Sequence, residues 1–399
     1  MAAGICANAG AKAAAGEEMC MRIAKSLVHV LMAVSALSPS LAQDAAPPVP
    51  AGAGRAARDN SAACSLIASY GQAQPIAVAA PVAPAGAGRA APAGGGRGRG
   101  AAAAEPVSIS IPDAPQLPYT PVPQPAPPVG TEFAGIGSID VMPNGHLLVF
   151  QRQAANQLLE YDAEGRLART FDDNIAARAH GLKVDRHGNI WITDGTCNTV
   201  MKLSPTGAVL MTLGTKGKSG SWDEVAGTEL FDQPNDVIFG ARDDFWVVTG
   251  HGANANPRVE HFDRNGKHIK GWTIRHDDGT NATVHTLAIS KSGELYISDR
   301  EVHRILVMTQ DGKLLRTIQM KNRIGDLVID KTGGLWMSAG EDGMIFKLDW
   351  DGKVTGWMGK IGPGPYEYSE AHYMAISPDM KTIYAADSLG NKIHKYIRN

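Results

Sequence analysis

Residues 285–300 read HTLAISKSGELYISDR. A short apolar run meets a Ser-Gly turn at Ser292–Gly293, and a second run of alternating apolar residues follows. Runs of that length on either side of a glycine turn read as a β-hairpin. The phrase opens on His285 and closes on Arg300, and it is not alone. It recurs as GSIDVMPNGHLLVFQR (137–152), HGLKVDRHGNIWITDG (180–195), NDVIFGARDDFWVVTG (235–250), GDLVIDKTGGLWMSAG (325–340) and HYMAISPDMKTIYAADS (372–388), the last with one extra residue in its turn. A third strand follows each copy, and after five of them comes a glycine turn, YDAEGR, LSPTGA, FDRNGK, MTQDGK and LDWDGK.

Six copies of a hairpin unit at spacings of about 40–55 residues predict an all-β, six-bladed β-propeller, because one unit cannot bury its own faces and six can stack around a channel. The first strand of each copy should line that channel. The last copy ends in a third strand, KIHKYIRN (392–399). An open ring would expose sheet edges, so a segment within 107–136 is expected to supply the missing outer strand. VSISI (107–111) alternates like a strand.

Upstream the composition changes. Arg22 and Lys25 precede the apolar stretch SLVHVLMAVSAL (26–37) and the small residues SPSLAQ, which reads residues 1–42 as a secretory signal, with translation starting at Met1, Met19 or Met21. The stretch is shorter than the roughly 20 residues of a stable membrane span. An exported, periplasmic or extracellular protein is expected. Residues 43–106, rich in Ala, Pro and Gly, read as a disordered linker, leaving 107–399 as the propeller with its closing strand. After cleavage Cys64 and Cys197 would remain, and a disulfide between them is one option. Net charge is −2, with no basic surface run for a nucleic-acid partner. Nothing in the sequence fixes an oligomeric state.

The first column of the repeats reads Gly137, His180, Asn235, His285, Gly325, His372. The three His alternate around the ring, so about 120° separates them and their side chains converge on the axis. Three imidazoles in that array form the open tripod of a catalytic zinc. Chance would place three alternating His in one of some 40 columns with odds of roughly 1 in 500; capping of the strand start is the structural alternative. The column after the second strand reads Arg152, Gly195, Gly250, Arg300, Gly340, Ser388. Guanidinium groups at a channel mouth suit a carboxylate, so the expected partner is a small molecule or peptide bearing one; an ion pair of Arg300 with Asp299 or Glu301 is the alternative. Asp194, Asp299 and Asp387 share a column and should hold the blade turns by bonding backbone groups. Trp191, Trp246 and Trp336 read as packing between blades. His187, His261, His268 and His303 fall in turns or later strands and read as surface residues.

VFQR with Arg152, AHGLKVDRHGNIWITD with His180, FDQPNDV (231–237), VHTLAISKSGELYISDR and EAHYMAIS with His372 together resemble the NHL-repeat propeller of peptidyl-α-hydroxyglycine α-amidating lyase. The resemblance covers residues 131–399. It implies a zinc on His180, His285 and His372, Arg152 and Arg300 beside the substrate, and cleavage of an N-substituted α-hydroxyglycine to an amide and glyoxylate. The chain departs from the family twice. Where the family has a catalytic Tyr in D-G-Y-x-N-S-R, this chain has TGHGANANPRV (249–259), with His251 at the Tyr position. His251 reads as the base, a fourth metal ligand or a structural loop residue. Where the family has an Asp that helps bind a channel calcium, this chain has Tyr373, a poor calcium ligand. Two other functions stay open: a propeller hydrolase such as a lactonase, whose metal usually sits on carboxylate and Asn oxygens, and a binding module without catalysis.

Overall fold

The computed structural model describes residues 60–64 and 112–399, apart from 153–154, 172–173, 224–226 and 253–254. The signal region 1–42, the strand expected at 107–111 and the linker outside residues 60–64 lie outside the described residues. Twenty-four strands form six four-stranded antiparallel sheets, a six-bladed propeller. The inner strands are Ile136–Val141, Ala179–Val184, Pro234–Phe239, Val284–Ile289, Ile324–Ile329 and Ala371–Ile376. Each packs against the next, and the sixth packs against the first.

Every blade hides its faces against its neighbours. Six buried apolar clusters exist among the described residues, and each draws on two adjacent blades. The β-branched and aromatic residues of the hairpins supply both sides of these seams. Trp191, Trp246 and Trp336 are buried in three different clusters, as their shared column predicts. Asp194 accepts hydrogen bonds from the backbone N–H groups of Ala177, Arg178, Thr196 and Cys197, which pins the turn of the second blade. Asp387 does the same in the sixth through Ser369, Glu370 and Gly390.

Five blades are built from consecutive strands and one is not. The fourth strand of the last blade is Tyr119–Val122, inside the segment expected to provide it. It pairs with Lys392–Arg398, Tyr119 opposite Arg398 and Val122 opposite Lys395. The approach to it is fixed on the fifth blade: the Leu117 N–H donates to Trp357 O at 2.8 Å, and Trp357 Nε1 donates to Ala114 O at 3.0 Å.

The stretch assigned to the linker contains one ordered turn. Ser61–Cys64 is a single helical turn, Cys64 is disulfide-bonded to Cys197, and Asn60 Nδ2 donates to Thr196 O at 3.0 Å. Low-complexity composition hides this contact, since the order comes from one covalent bond and a few backbone hydrogen bonds rather than from buried apolar area.

Deleting residues 107–130 should lower the melting temperature by more than about 10 °C in a thermal scan, because it uncovers one edge of the last blade. Replacing Cys197 by Ser should cost about 2–4 kcal/mol in denaturant titration, the usual worth of a disulfide closing a long loop.

Candidate metal centre and channel mouth

All six inner strands begin with a break in register. The pairing of inner and second strands slips between Ile136 and Ser138, Ala179 and Leu182, Pro234 and Asp236, Val284 and Leu287, Ile324 and Asp326, and Ala371 and Met374. The first-column residue lies inside each slip. A bulge re-aims a side chain that strict alternation would send to a sheet face, and here it turns the column toward the axis. Hydroxyls satisfy the displaced amides: the Gly181 N–H donates to Thr193 Oγ1 at 2.7 Å and the Thr286 N–H to Ser298 Oγ at 2.9 Å.

His180, His285 and His372 meet on the axis, with their candidate ligand nitrogens within 4.8 Å of one another. All three are buried. Each Nδ1 faces a carbonyl of the following blade: His180 to Asn235 O at 3.1 Å, His285 to Gly325 O at 2.7 Å and His372 to Gly137 O at 2.9 Å. A carbonyl only accepts, so Nδ1 carries the proton and Nε2 is left with its lone pair. The Nε2 atoms of His180 and His285 are buried without any hydrogen-bond partner. Orphaned buried acceptors are costly, and a cation is what relieves them. Burial first, then the neighbouring His and Arg charges, hold all three imidazoles well below the usual His range, so they are neutral ligands. The three-His group fits a metal.

The glycines of the same column are there for space. A Cβ on Gly137 would stand 2.7 Å from Ala179 O, and one on Gly325 would stand 2.4 Å from Ala371 O. The inner strands approach too closely at these points for any side chain.

His251 lies beside the tripod, its ring centre 4.6 Å from that of His180 and 5.3 Å from that of His285. Arg178 Nη2 is 3.4 Å from its Nδ1 and Arg300 Nη1 is 3.4 Å from its Nε2. Burial, then the charges of Arg178, Arg300, Arg152 and Arg323, push its pKa down to about 3. Arg300 is buried and donates from Nη2 to Glu370 Oε1 at 2.9 Å; of the two alternative partners, Glu301 lies 3.9 Å from its Nε, and Asp299 is not paired with it but holds His276 and Arg304. Glu370 also takes the hydroxyl of Ser388 and lies 3.7 Å from Arg323. Arg152 is exposed at the mouth, yet its charge still reaches His251, His180 and His372.

Tyr373 does not face these guanidinium groups as a free phenol. Its hydroxyl donates to Asn235 O at 3.1 Å, against the Nδ1 edge of His180. Deeper in the channel Lys183 Nζ stands 3.8 Å from Asp236 and 3.6 Å from Asp326. Thr286 Oγ1 is 2.7 Å from a carboxylate oxygen of each of those two Asp.

Arg178, Arg323 and Glu370 were missed in the sequence. All three sit two residues before the first column, in the series Gly135, Arg178, Gln233, Thr283, Arg323, Glu370. Extending the alignment by two positions would have shown three charged residues in it. The assignment of His261 to the surface is also overturned: it is buried, stacked on Trp246 at 4.1 Å, with Nε2 3.0 Å from Asp244. Its partners are the cross-strand Trp246 and Asp244 in the turn before that strand, a pairing invisible to a turn-and-strand reading.

No family model matches the chain. It is 24% identical over 266 residues to peptidyl-alpha-hydroxyglycine alpha-amidating lyase 1 of Drosophila melanogaster, covering 59% of this chain and 47% of that protein. To lyase 2 of the same organism it is 24% identical over 265 residues, covering 61% of each. It is 30% identical over 148 residues to peptidyl-glycine alpha-amidating monooxygenase B of Xenopus laevis, 35% of this chain and 16% of that one. The chain resembles the amidating lyases. It spans between about half and three fifths of the length of the two fly relatives, 47% of one and 61% of the other. Among solved structures a streptogramin B lyase superposes with a TM-score of 0.50 at 16% identity, covering 70% of this chain and 98% of that one, a likeness of fold. The chain is a lyase-like propeller with a three-His group able to hold a metal.

Elemental analysis of the purified protein should find about one zinc per chain, and the His285→Ala variant should lose it. Gly325→Ala should lower both melting temperature and metal content, because the added methyl displaces the strand whose carbonyl orients His285.

Proposed function

We propose that this chain is a zinc-dependent lyase that splits an N-substituted α-hydroxyglycine into an amide and glyoxylate. The observation that carries the reading is the pairing of two features in one channel: three buried His with lone pairs facing each other, and a cluster of guanidinium groups directly beside them. A scaffold needs neither. A lactonase-type oxygen site is not what three imidazoles offer.

The substrate has a hydroxyl, an amide nitrogen and a carboxylate on one carbon. In the reaction the C–N bond breaks, the hydroxyl proton leaves as the C=O of glyoxylate forms, and the departing nitrogen gains a proton. Bound on His180, His285 and His372, zinc would supply a Lewis acid that eases loss of the hydroxyl proton. The arginine cluster at the mouth, of which Arg152 and Arg300 are members, draws in the carboxylate and so orients the C–N bond. His251, neutral at pH 7 and beside the tripod, is the residue placed to take the hydroxyl proton and return it to nitrogen. Tyr373 has its hydroxyl committed to a backbone carbonyl and takes no such part. With the export expected from residues 1–42, the substrate would be met outside the cytoplasm.

Incubation with an N-acyl-α-hydroxyglycine should release glyoxylate and the amide in equal amounts. His251→Phe should lower kcat by about 100-fold or more with metal content unchanged. Absence of glyoxylate from a zinc-loaded protein would sink the reading.

A further inference from the structure

The arginines of the mouth are not equivalent, and their ion pairs say which of them is waiting for a ligand. On one side, Arg300 and Arg323 are already compensated. Arg300 pairs with Glu370 at 2.9 Å, and Arg323 pairs with Glu301 at 2.7 Å, Glu341 at 3.4 Å and Glu370 at 3.7 Å. On the other side stand Arg152 and Arg178. Neither has a carboxylate within ion-pair distance among the described residues, and the side-chain hydrogen bond recorded for Arg178 is the one to His251.

His251 sharpens the asymmetry. A neutral imidazole accepts at one nitrogen only, yet both its nitrogens face guanidinium N–H groups at 3.4 Å. One of those two arginines therefore points a donor at a donor. Arg300 has Glu370 as an alternative acceptor. Arg178 has none among the described residues. The side of the mouth formed by the first two blades is short of acceptor oxygens. Arg152 feels Glu370 and Arg178 feels Asp194 only at longer range, and two neighbouring guanidinium groups with no direct ion pair are a receptor for a carboxylate, whose two oxygens supply the missing acceptors.

We infer that Arg178 and Arg152 form the clamp for the substrate carboxylate, while Arg300, tied to Glu370, is a positioning residue that fixes the ring of His251. The inference rests on the lyase reading for the identity of the substrate, but the clamp itself is a claim about carboxylate binding. It also makes the distinction between Arg152 and Arg300, equivalent in the sequence column, a consequence of where Glu370 sits.

The test uses N-acetylglycine, which has the carboxylate and the amide but no hydroxyl and so is not split. Calorimetric titration into the full-length protein should show binding, and N-acetylglycinamide, which lacks the charge, should bind at least about 10-fold more weakly. Arg178→Ala should lose about 10-fold or more of the affinity for N-acetylglycine. Arg178→Lys, which keeps the charge and guards against a folding defect, should recover part of it. Equal binding of acid and amide, or an Arg178→Ala protein that is folded and binds the acid like wild type, would overturn the clamp. The two readings fail separately. Arg178-dependent binding of N-acetylglycine by a protein that releases no glyoxylate upholds the clamp and ends the lyase reading. Glyoxylate release with an unchanged KM in Arg178→Ala does the reverse.

Discussion

The hydrogen bond from each ligand imidazole to the next blade organises this molecule. In the second, fourth and sixth blades His Nδ1 reaches the carbonyl of the first-column residue in the blade that follows, Asn235, Gly325 or Gly137. One set of three bonds does two jobs. It selects the tautomer that leaves Nε2 open, and it ties blades in pairs at the axis. The tripod exists only when the ring is assembled, and a ring assembled with the wrong spacing would misdirect the imidazoles. This is why residues with no chemistry of their own, Gly137 and Gly325, share a column with the ligands: they let the backbones come close enough for the bonds to form.

Beneath that layer the channel handles charge in a different way. Asp140, Asp236 and Asp326 are gathered around Lys183, so the protein supplies a cation to its own carboxylates. One hydroxyl, that of Thr286, touches both Asp236 and Asp326 at 2.7 Å. It can donate to only one of them, so the other must carry a proton. Burial first pushes Asp236 up to about 7, which fits that sharing. With one of the three carboxylates protonated and Lys183 charged, the floor of the site keeps about one negative charge, while four arginines stand at the mouth, so an anionic ligand is favoured at the mouth and not at the floor.

The blade count was legible because hairpin, turn and spacing repeat together, and each has a physical reason that survives in one sequence. The tripod was legible because a ring converts equal register into convergence. The bulges were not, since a slip of one residue leaves the composition of a strand unchanged while redirecting its side chains. Arg178, Arg323 and Glu370 escaped for a related reason: they precede the strand, where the repeat looks like a loop. His251 was picked out from a departure in a family motif, and the structure places it against the tripod. The turn at residues 61–64 was illegible, because a short contact held by Cys64 leaves no periodic pattern.

The strand Tyr119–Val122 pairs with Lys392–Arg398, and Thr120 Oγ1 meets Asn399 Oδ1 at 2.6 Å across a separation of 279 residues. Sheet formation at this seam must wait for the C-terminal strand to leave the ribosome, whatever the other blades have done by then. A chain not yet synthesised as far as that strand therefore holds five self-contained sheets and one that cannot be completed. Such a nascent chain keeps its final fold out of reach until the strand Lys392–Arg398 arrives. Until then the ring cannot close and His180, His285 and His372 cannot be drawn together.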